Sequence, residues 1–338
     1  MTALLATLVA FLGISLLFYV LFAGADFGAG IVELFLNKNA TEQRALISRA
    51  IAPVWEANHV WLILAIVIVF MGFPSVYALI SIHLHLPVIA VLVGITARGC
   101  AFTFRHYDTF DATYHRIYSR VFAWSSLWTA FFLGTVAGAL LLGRFDAAAP
   151  TYAAAYLAPW LNPFCAAVGM FAVALFACLA AVYLVGEAQT AELRQAFARM
   201  SLQCAGFMLV AGLLVFLAAA QQELPLLQAF LANPLSLAAI GLATLFLLPF
   251  WQFAIQQRPL PLRVCGAALV SLVLFGWFAV GFPLIIGLQH GVSLVDAAAP
   301  PATLLALLHA LIVGCVLIFP ALAYLFWVFK RQRPEVGA

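Results

Sequence analysis

Nine separate stretches of about 20 or more predominantly apolar residues run through the chain, and no globule in water can bury that many. A helix crosses ~30 Å of hydrocarbon in about 20 apolar residues. Such runs fall at approximately 4–27, 55–75, 78–104, 118–142, 162–186, 201–221, 234–256, 262–288 and 303–329. They are continuous rather than alternating in the ~10-residue segments of a membrane β-barrel, so the expected fold is all-α. Composition agrees: 67% of the side chains are hydrophobic and 8% are charged, where soluble domains hold roughly half and about a quarter. Soluble enzymes, disordered tails and nucleic-acid binders are excluded. The net charge of +3 carries no phosphate affinity of its own, because in a membrane protein the placement of Lys and Arg is what counts.

That placement is asymmetric. With nine crossings and the N-terminus outside, the inside loops and tail hold thirteen of the positive residues: Lys38, Arg44, Arg49, Arg105, Arg116, Arg120, Arg194, Arg199, Arg258, Arg263, Lys330, Arg331 and Arg333. The outside connections hold only Arg144, and Arg98 lies within the third span. Cytoplasmic loops carry such an excess. The second and third runs are interrupted by Gly72, Pro74 and Pro87; a single broken segment there would give eight spans, but every later loop would then change sides and the bias would collapse. The spans divide into an N-terminal four-helix bundle, 1–142, and a C-terminal group, 143–338, of a second bundle plus one further helix. The start Met1, Thr2, Ala3 has no basic region of a cleaved signal, so the first span is expected to stay. Segment 28–54 reads as an interfacial piece in which Thr41 caps a short helix and Pro53 ends it. The six cysteines have no metal or redox spacing and read as small buried hydrophobes.

Ionisable groups inside spans are costly and so face protein or water. The first span ends Ala23-Gly24-Ala25-Asp26-Phe27-Gly28-Ala29-Gly30, where Gly24 and Gly28 let a neighbouring helix approach. Asp26 is either an interfacial carboxylate reaching headgroup water or a proton carrier packed against another helix. Pro53-Val54-Trp55-Glu56-Ala57-Asn58-His59-Val60-Trp61 opens the second span, with Glu56 and His59 on one helical face and Trp55 and Trp61 suited to the interfacial belt. Glu56 is either stabilised by the helix N-terminus or part of a proton path with Asp26. Arg98 lies about two turns inside its boundary and needs a partner, for which Asp26 and Glu56 are candidates and snorkelling to headgroups the alternative.

His85 and His309, with His83 nearby, are candidate ligands of a b-type haem, set against ordinary structural histidines. A transporter or proton channel acting alone is a second rival; it would show broken helices in matching halves, and only the Pro74 to Pro87 region is of that kind. No nucleotide loop or activated nucleophile is present, and Gly28-Ala29-Gly30 follows no strand.

The tracts Gly24 to Gly30, Ile51 to Ile63 and Arg98 to Arg105, together with Asn162-Pro163-Phe164 and Phe282-Pro283 through Val295-Asp296-Ala297-Ala298, resemble subunit II of the cytochrome bd quinol oxidases along essentially the whole chain. Trp-Glu-Ala-Asn-His at 55–59 departs from that family's usual Trp-Asp-Gly-Asn-Glu or Gln and looks like its cyanide-insensitive branch. The resemblance implies a haem-free subunit of the bacterial inner membrane, N-terminus outside and C-terminus cytoplasmic. Its partner, subunit I, would hold two b-type haems and haem d, oxidise quinol and reduce dioxygen to water. This chain would stabilise subunit I and take up protons from the cytoplasm, with Asp26, Glu56 and His59 as pathway candidates. Arg98, Trp55, Asn58 and Trp61 are the structural candidates. No metal or nucleic acid is expected on this chain; a structural quinone, lipid and small accessory subunits are open. Single cysteines replacing Arg144 and Arg194 are expected to label from opposite sides of the membrane; labelling of both from one side would refute the topology.

Overall fold

The computed structural model describes residues 2–36, 40–107, 112–146, 148–288 and 291–331, the side chains at 52–57, 106–107, 112–115, 322 and 325–331 excepted. Its elements are α1 (Ala3–Leu34), α2 (Thr41–Gly72), α3 (Pro74–His83), α4 (His85–Tyr107), α5 (Ala112–Leu142), the short α6 (Tyr152–Tyr156), α7 (Pro163–Glu187), α8 (Ala191–Gln221), α9 (Leu226–Ala232), α10 (Pro234–Ile255), α11 (Pro259–Gly281), the strands β1 (Leu284–Ile286) and β2 (Val292–Ser293), and α12 (Pro301–Arg331). The all-α expectation holds, the strands forming one small antiparallel pair. Starts are written locally in the sequence. Thr2, Asn162, Thr190 and Asn233 each accept a backbone N–H of the first turn of α1, α7, α8 and α10, which satisfies donors that have no partner within the helix. Proline opens α3, α7, α10 and α11, where its missing N–H costs nothing.

Eight helices are long and apolar enough to span a membrane individually, and residues 58–72 of α2 qualify with α3 only as a pair bent by 114°. With that pair as one crossing the described residues hold nine. The expected third span, 78–104, is corrected: the helix starts at His85, and 74–83 form the separate α3. Pro74 cannot donate to the carbonyls of α2, so α2 stops at Gly72, and the N–H of Phe73 closes its end on Val69 O at 3.0 Å. Two boundaries at the other end also differ from expectation. The first helix runs on to Leu34 rather than stopping near residue 27. The expected interfacial helix over 41–53 is instead the start of α2, which continues past position 53 to Gly72 as one 32-residue helix, roughly 48 Å long at the usual helical rise. Thr41 is its first residue rather than its cap, and Ala40 at the cap supplies no side-chain bond.

The centre is α7. In its apolar window 72% of the residues are buried, against 17% in α10 and in α12, so α10 and α12 lie at the periphery. α7 packs against α1, α5, α8 and α11, and thereby joins helices from both halves of the sequence. Small residues make those crossings close. A Cβ at Gly28 would collide with the backbone carbonyl of Phe176, and one at Gly24 with Leu179, both on α7. One built at Gly134 of α5 would lie 2.7 Å from Val168 O. With lipid outside there is little hydrophobic gain from helix association, so close backbone approach is what holds such helices together.

The opposite end from the basic loops is closed by backbone bonds. Gly287 N donates to Leu140 O and Ala299 N to Gly72 O, each at 2.8 Å, which ties the β1–β2 hairpin to α5 and the start of α12 to the end of α2. Gly143 adopts φ +66° with Gly287 pressed against it; a side chain there meets both backbone strain and collision. Gly28→Leu is expected to destabilise the purified protein by at least ~1–3 kcal/mol through overpacking, read as an earlier thermal transition in detergent. A change within error would show that α1 and α7 are not held this closely.

Candidate functional site

Asp26 lies eight residues before the end of α1, about 12 Å along the axis, and is completely buried at 0% exposure. It does not reach headgroup water. Arg98 on α4 is 1% exposed and does not snorkel; the two form an ion pair. Arg98 Nη1 donates to Asp26 Oδ2 at 2.9 Å, and Nη2 donates to Oδ1 and, at 3.0 Å, to the Asp26 carbonyl. Asn58 of α2 donates to Oδ2 at 3.3 Å. Arg98 Nε donates to Ser126 Oγ of α5 at 3.0 Å, and Ser126 Oγ in turn donates a hydrogen bond to Phe122 O at 2.7 Å. The guanidinium carbon is 4.9 Å from the Phe27 ring centroid and 4.8 Å from that of Phe122, so two aromatic rings attract a charge taken out of water. Gly30 permits this, because a Cβ there would strike Ser126.

A second rung repeats the first. Glu33 follows Asp26 by seven residues and Arg105 follows Arg98 by seven, two helical turns in each case. Arg105 Nη1 donates to Glu33 Oε2 at 3.0 Å and Oε1 at 3.2 Å. Arg44 of α2 adds a contact to Glu33 at 3.6 Å, and its carbonyl accepts from Arg105 Nη2 at 3.1 Å. The Phe122 ring also faces Arg105, at 5.8 Å, and so lies within reach of both guanidinium groups. Asp26–Arg98 and Glu33–Arg105 therefore form a two-rung ladder between α1 and α4. Sequence reasoning missed Glu33; the equal separation of 72 residues within each pair was the available signal.

The remaining candidates distribute as follows. His59 is half-buried and within electrostatic reach of Asp26 and Arg98. Trp61 is 5% exposed and stacks on Phe18 at 4.6 Å, so it is a core residue rather than a belt tryptophan. Its Nε1, Asn58 Oδ1 and Tyr19 Oη are buried with no hydrogen-bond partner among the described residues. The side chains of Trp55 and Glu56 lie outside the described residues. His83 Nδ1 pairs with Ala155 O at 2.9 Å and His85 Nδ1 with Ile82 O at 2.8 Å. His309 is exposed on α12, which packs on α2 and α1, whereas α4 packs on α5 and α3. The structure thus does not bring His85 and His309 together as a haem-ligating pair on neighbouring helices. Among the described residues no group of three or more His, Cys, Asp or Glu could hold a metal ion.

A membrane-spanning helical bundle with a buried carboxylate–guanidinium ladder at its basic end is the class of protein that fold and site define. The sequence model described as cytochrome bd terminal oxidase subunit II matches residues 4–329, and the chain belongs to that family. It is 42% identical over 82 residues to the cytochrome bd ubiquinol oxidase subunit 2 of Bacillus subtilis, 24% of each chain. It is 31% identical over 132 residues to the cytochrome bd-I ubiquinol oxidase subunit 2 of Escherichia coli, 39% of this chain and 32% of that one. The aligned stretches thus span a quarter to a third of these relatives. The bd oxidase of Geobacillus thermodenitrificans has the same fold, with a TM-score of 0.76 at 20% identity over 98% of this chain and 100% of the other.

Truncating one member of a buried pair leaves the other charge stranded, at a cost of ~3–5 kcal/mol. Asp26→Leu and Arg98→Leu are each expected to lower the yield and thermal stability of assembled protein sharply, and the double variant to recover a large part of the loss. Strictly additive losses would show that the pair is not coupled.

Proposed function

We propose that this chain is the haem-free subunit of a quinol:dioxygen oxidoreductase, that it stabilises a haem-bearing subunit I, and that it conducts protons from the cytoplasm toward the site of dioxygen reduction. The family match across residues 4–329 carries this reading. The haems, two b-type and one d, would belong to subunit I and supply electron transfer and dioxygen chemistry there. The N-terminus is placed outside and the C-terminus in the cytoplasm on the strength of the charge asymmetry.

Within this chain the roles divide by what each side chain can do. A relay group must be free to exchange partners, whereas both carboxylate oxygens of Asp26 are taken by Arg98. We assign Glu56, midway along α2, as the uptake carboxylate, and His59, one turn further, as the group that hands protons on. Asp26 and Arg98 form a fixed polar cluster within electrostatic reach of His59. Asn58 Oδ1, Tyr19 Oη and Trp61 Nε1, buried without partners among the described residues, offer the donors and acceptors that an internal water chain requires.

Purified with the chain it assembles with, the protein is expected to show b- and d-type haem absorption and to oxidise quinol. Glu56→Gln keeps the shape of the side chain and removes its titration; haem content should survive while turnover and proton uptake fall by about 10² or more, the usual scale for a positioned proton-transfer group. Unchanged oxygen consumption and unchanged proton-uptake kinetics in a fully haem-loaded variant would place proton uptake elsewhere.

A further inference from the structure

Three buried polar atoms on α1 and α2 lack partners, and all three belong to one seam between those helices. Tyr19, Asn58 and Trp61 are 4%, 0% and 5% exposed, and Tyr19 Oη, Asn58 Oδ1 and Trp61 Nε1 make no hydrogen bond among the described residues. Asn58 is tied from its other side, its Nδ2 donating to Asp26 Oδ2 at 3.3 Å. A carboxylate only accepts, so the amide must turn its NH2 toward Asp26 and its oxygen away. Trp61 follows Asn58 by three residues and shares its face of α2; its indole stacks at 4.6 Å on Phe18, the neighbour of Tyr19 on α1. Tyr19 precedes Asp26 by seven residues, two helical turns or about 10 Å. It lies on the same side of α1, within electrostatic reach of Asp26 and Arg98.

Buried polar atoms without hydrogen bonds are rare and unfavourable. These three are chemically complementary: the indole N–H donates, the amide oxygen accepts, and the phenol hydroxyl can do either. A buried water makes about three hydrogen bonds to groups that would otherwise go unsatisfied, and this seam supplies three. An ion is not called for, because Asp26 and Arg98 already neutralise each other. We infer that Tyr19, Asn58 and Trp61 hold an internal water beside the Asp26–Arg98 pair, and that this water is the station beyond His59 in the proton route. The occupancy rests on the orphaned atoms alone, whereas the station role rests on the route proposed above. His59 adjoins Asn58 in the chain and is likewise within electrostatic reach of Asp26 and Arg98. A proton leaving the His59 ring nitrogen joins the water oxygen as one of the water's own protons moves on toward subunit I, so the site returns to neutral water after each passage. Tyr19 is a positioning residue in this scheme.

The test uses the intact assembly, imaged at a resolution that shows ordered water, and the variant Tyr19→Phe, which keeps the ring and removes only the hydroxyl. Density for a water within hydrogen-bond distance of Asn58 Oδ1 and Tyr19 Oη is expected in the unmodified protein, and this observation decides the occupancy even if the variant does not assemble. A dry, unpaired hydroxyl would make Tyr19→Phe neutral or stabilising, whereas a held water predicts an earlier thermal transition. At unchanged haem content, proton uptake in Tyr19→Phe should slow about tenfold, equivalent to ~1.4 kcal/mol. No water density, or a thermal transition that stays in place or moves later, overturns the inference. Water density with unchanged uptake in Tyr19→Phe overturns the station role; a persistent defect in Glu56→Gln would then leave the route standing without Tyr19, and no defect in either variant would remove the route as well.

Discussion

A guanidinium buried inside a membrane-spanning helix must be neutralised by another part of the chain, and the arrangement around α1 follows from that demand. Arg98 is always charged and fully enclosed, so α4 can occupy its place only if a carboxylate faces it at the same depth. Asp26 does, with both carboxylate oxygens and its own carbonyl. Ser126 accepts the remaining Nε proton, which fixes α5 in rotation as well. Residues of the 24–30 tract therefore face different neighbours: Gly24 and Gly28 meet α7, Asp26 meets α4 and α2, and Gly30 meets α5. The tract is short because a helix turns through all of those directions in two turns.

The ladder and the α7 terminus solve the same electrostatic problem in different ways. Between α1 and α4, Asp26 and Arg98 cancel within the protein, and Phe27 and Phe122 cover the cation. At the end of α7 Arg263 pairs with Glu187 and Arg194 bonds to the Ala188 carbonyl, and the Nε–H of each arginine is buried without an acceptor among the described residues.

Much of the architecture was legible in one dimension. Apolar runs placed the spans to within a few residues for α7, α10 and α12, and caps such as Asn162 and Asn233 stand where the helices start. Legibility failed where polar sequence was nevertheless helical. Where α1 runs past residue 27 and α2 starts at Thr41, Glu33 faces both Arg44 and Arg105, and Arg105 lies 72 residues away in the chain, a compensation that no local window contains. It failed again at 74–83, where an apolar segment turns away as α3, since hydropathy reports how apolar a stretch is and not its direction. Asp26 and Arg98 were visible as candidates, whereas Glu33 was not, its polarity being ordinary for a segment read as a loop.

The amino-acid sequence by itself determined that the chain is a helical membrane protein, about how many times it crosses, which loops carry positive charge, and which intramembrane ions demand partners. These properties are sums over local composition, and the cost of leaving apolar or charged groups in the wrong solvent sets them before any helix meets another. Only the tertiary structure decided that Asp26 answers Arg98, that a second rung exists at Glu33, that α7 is the axis of the bundle, and that two arginines at its end keep unpaired donors. Those outcomes depend on how helices rotate and how closely glycines let them approach. Because a helix returns to the same face every few residues, several partners satisfy the same sequence pattern, and packing selects one of them.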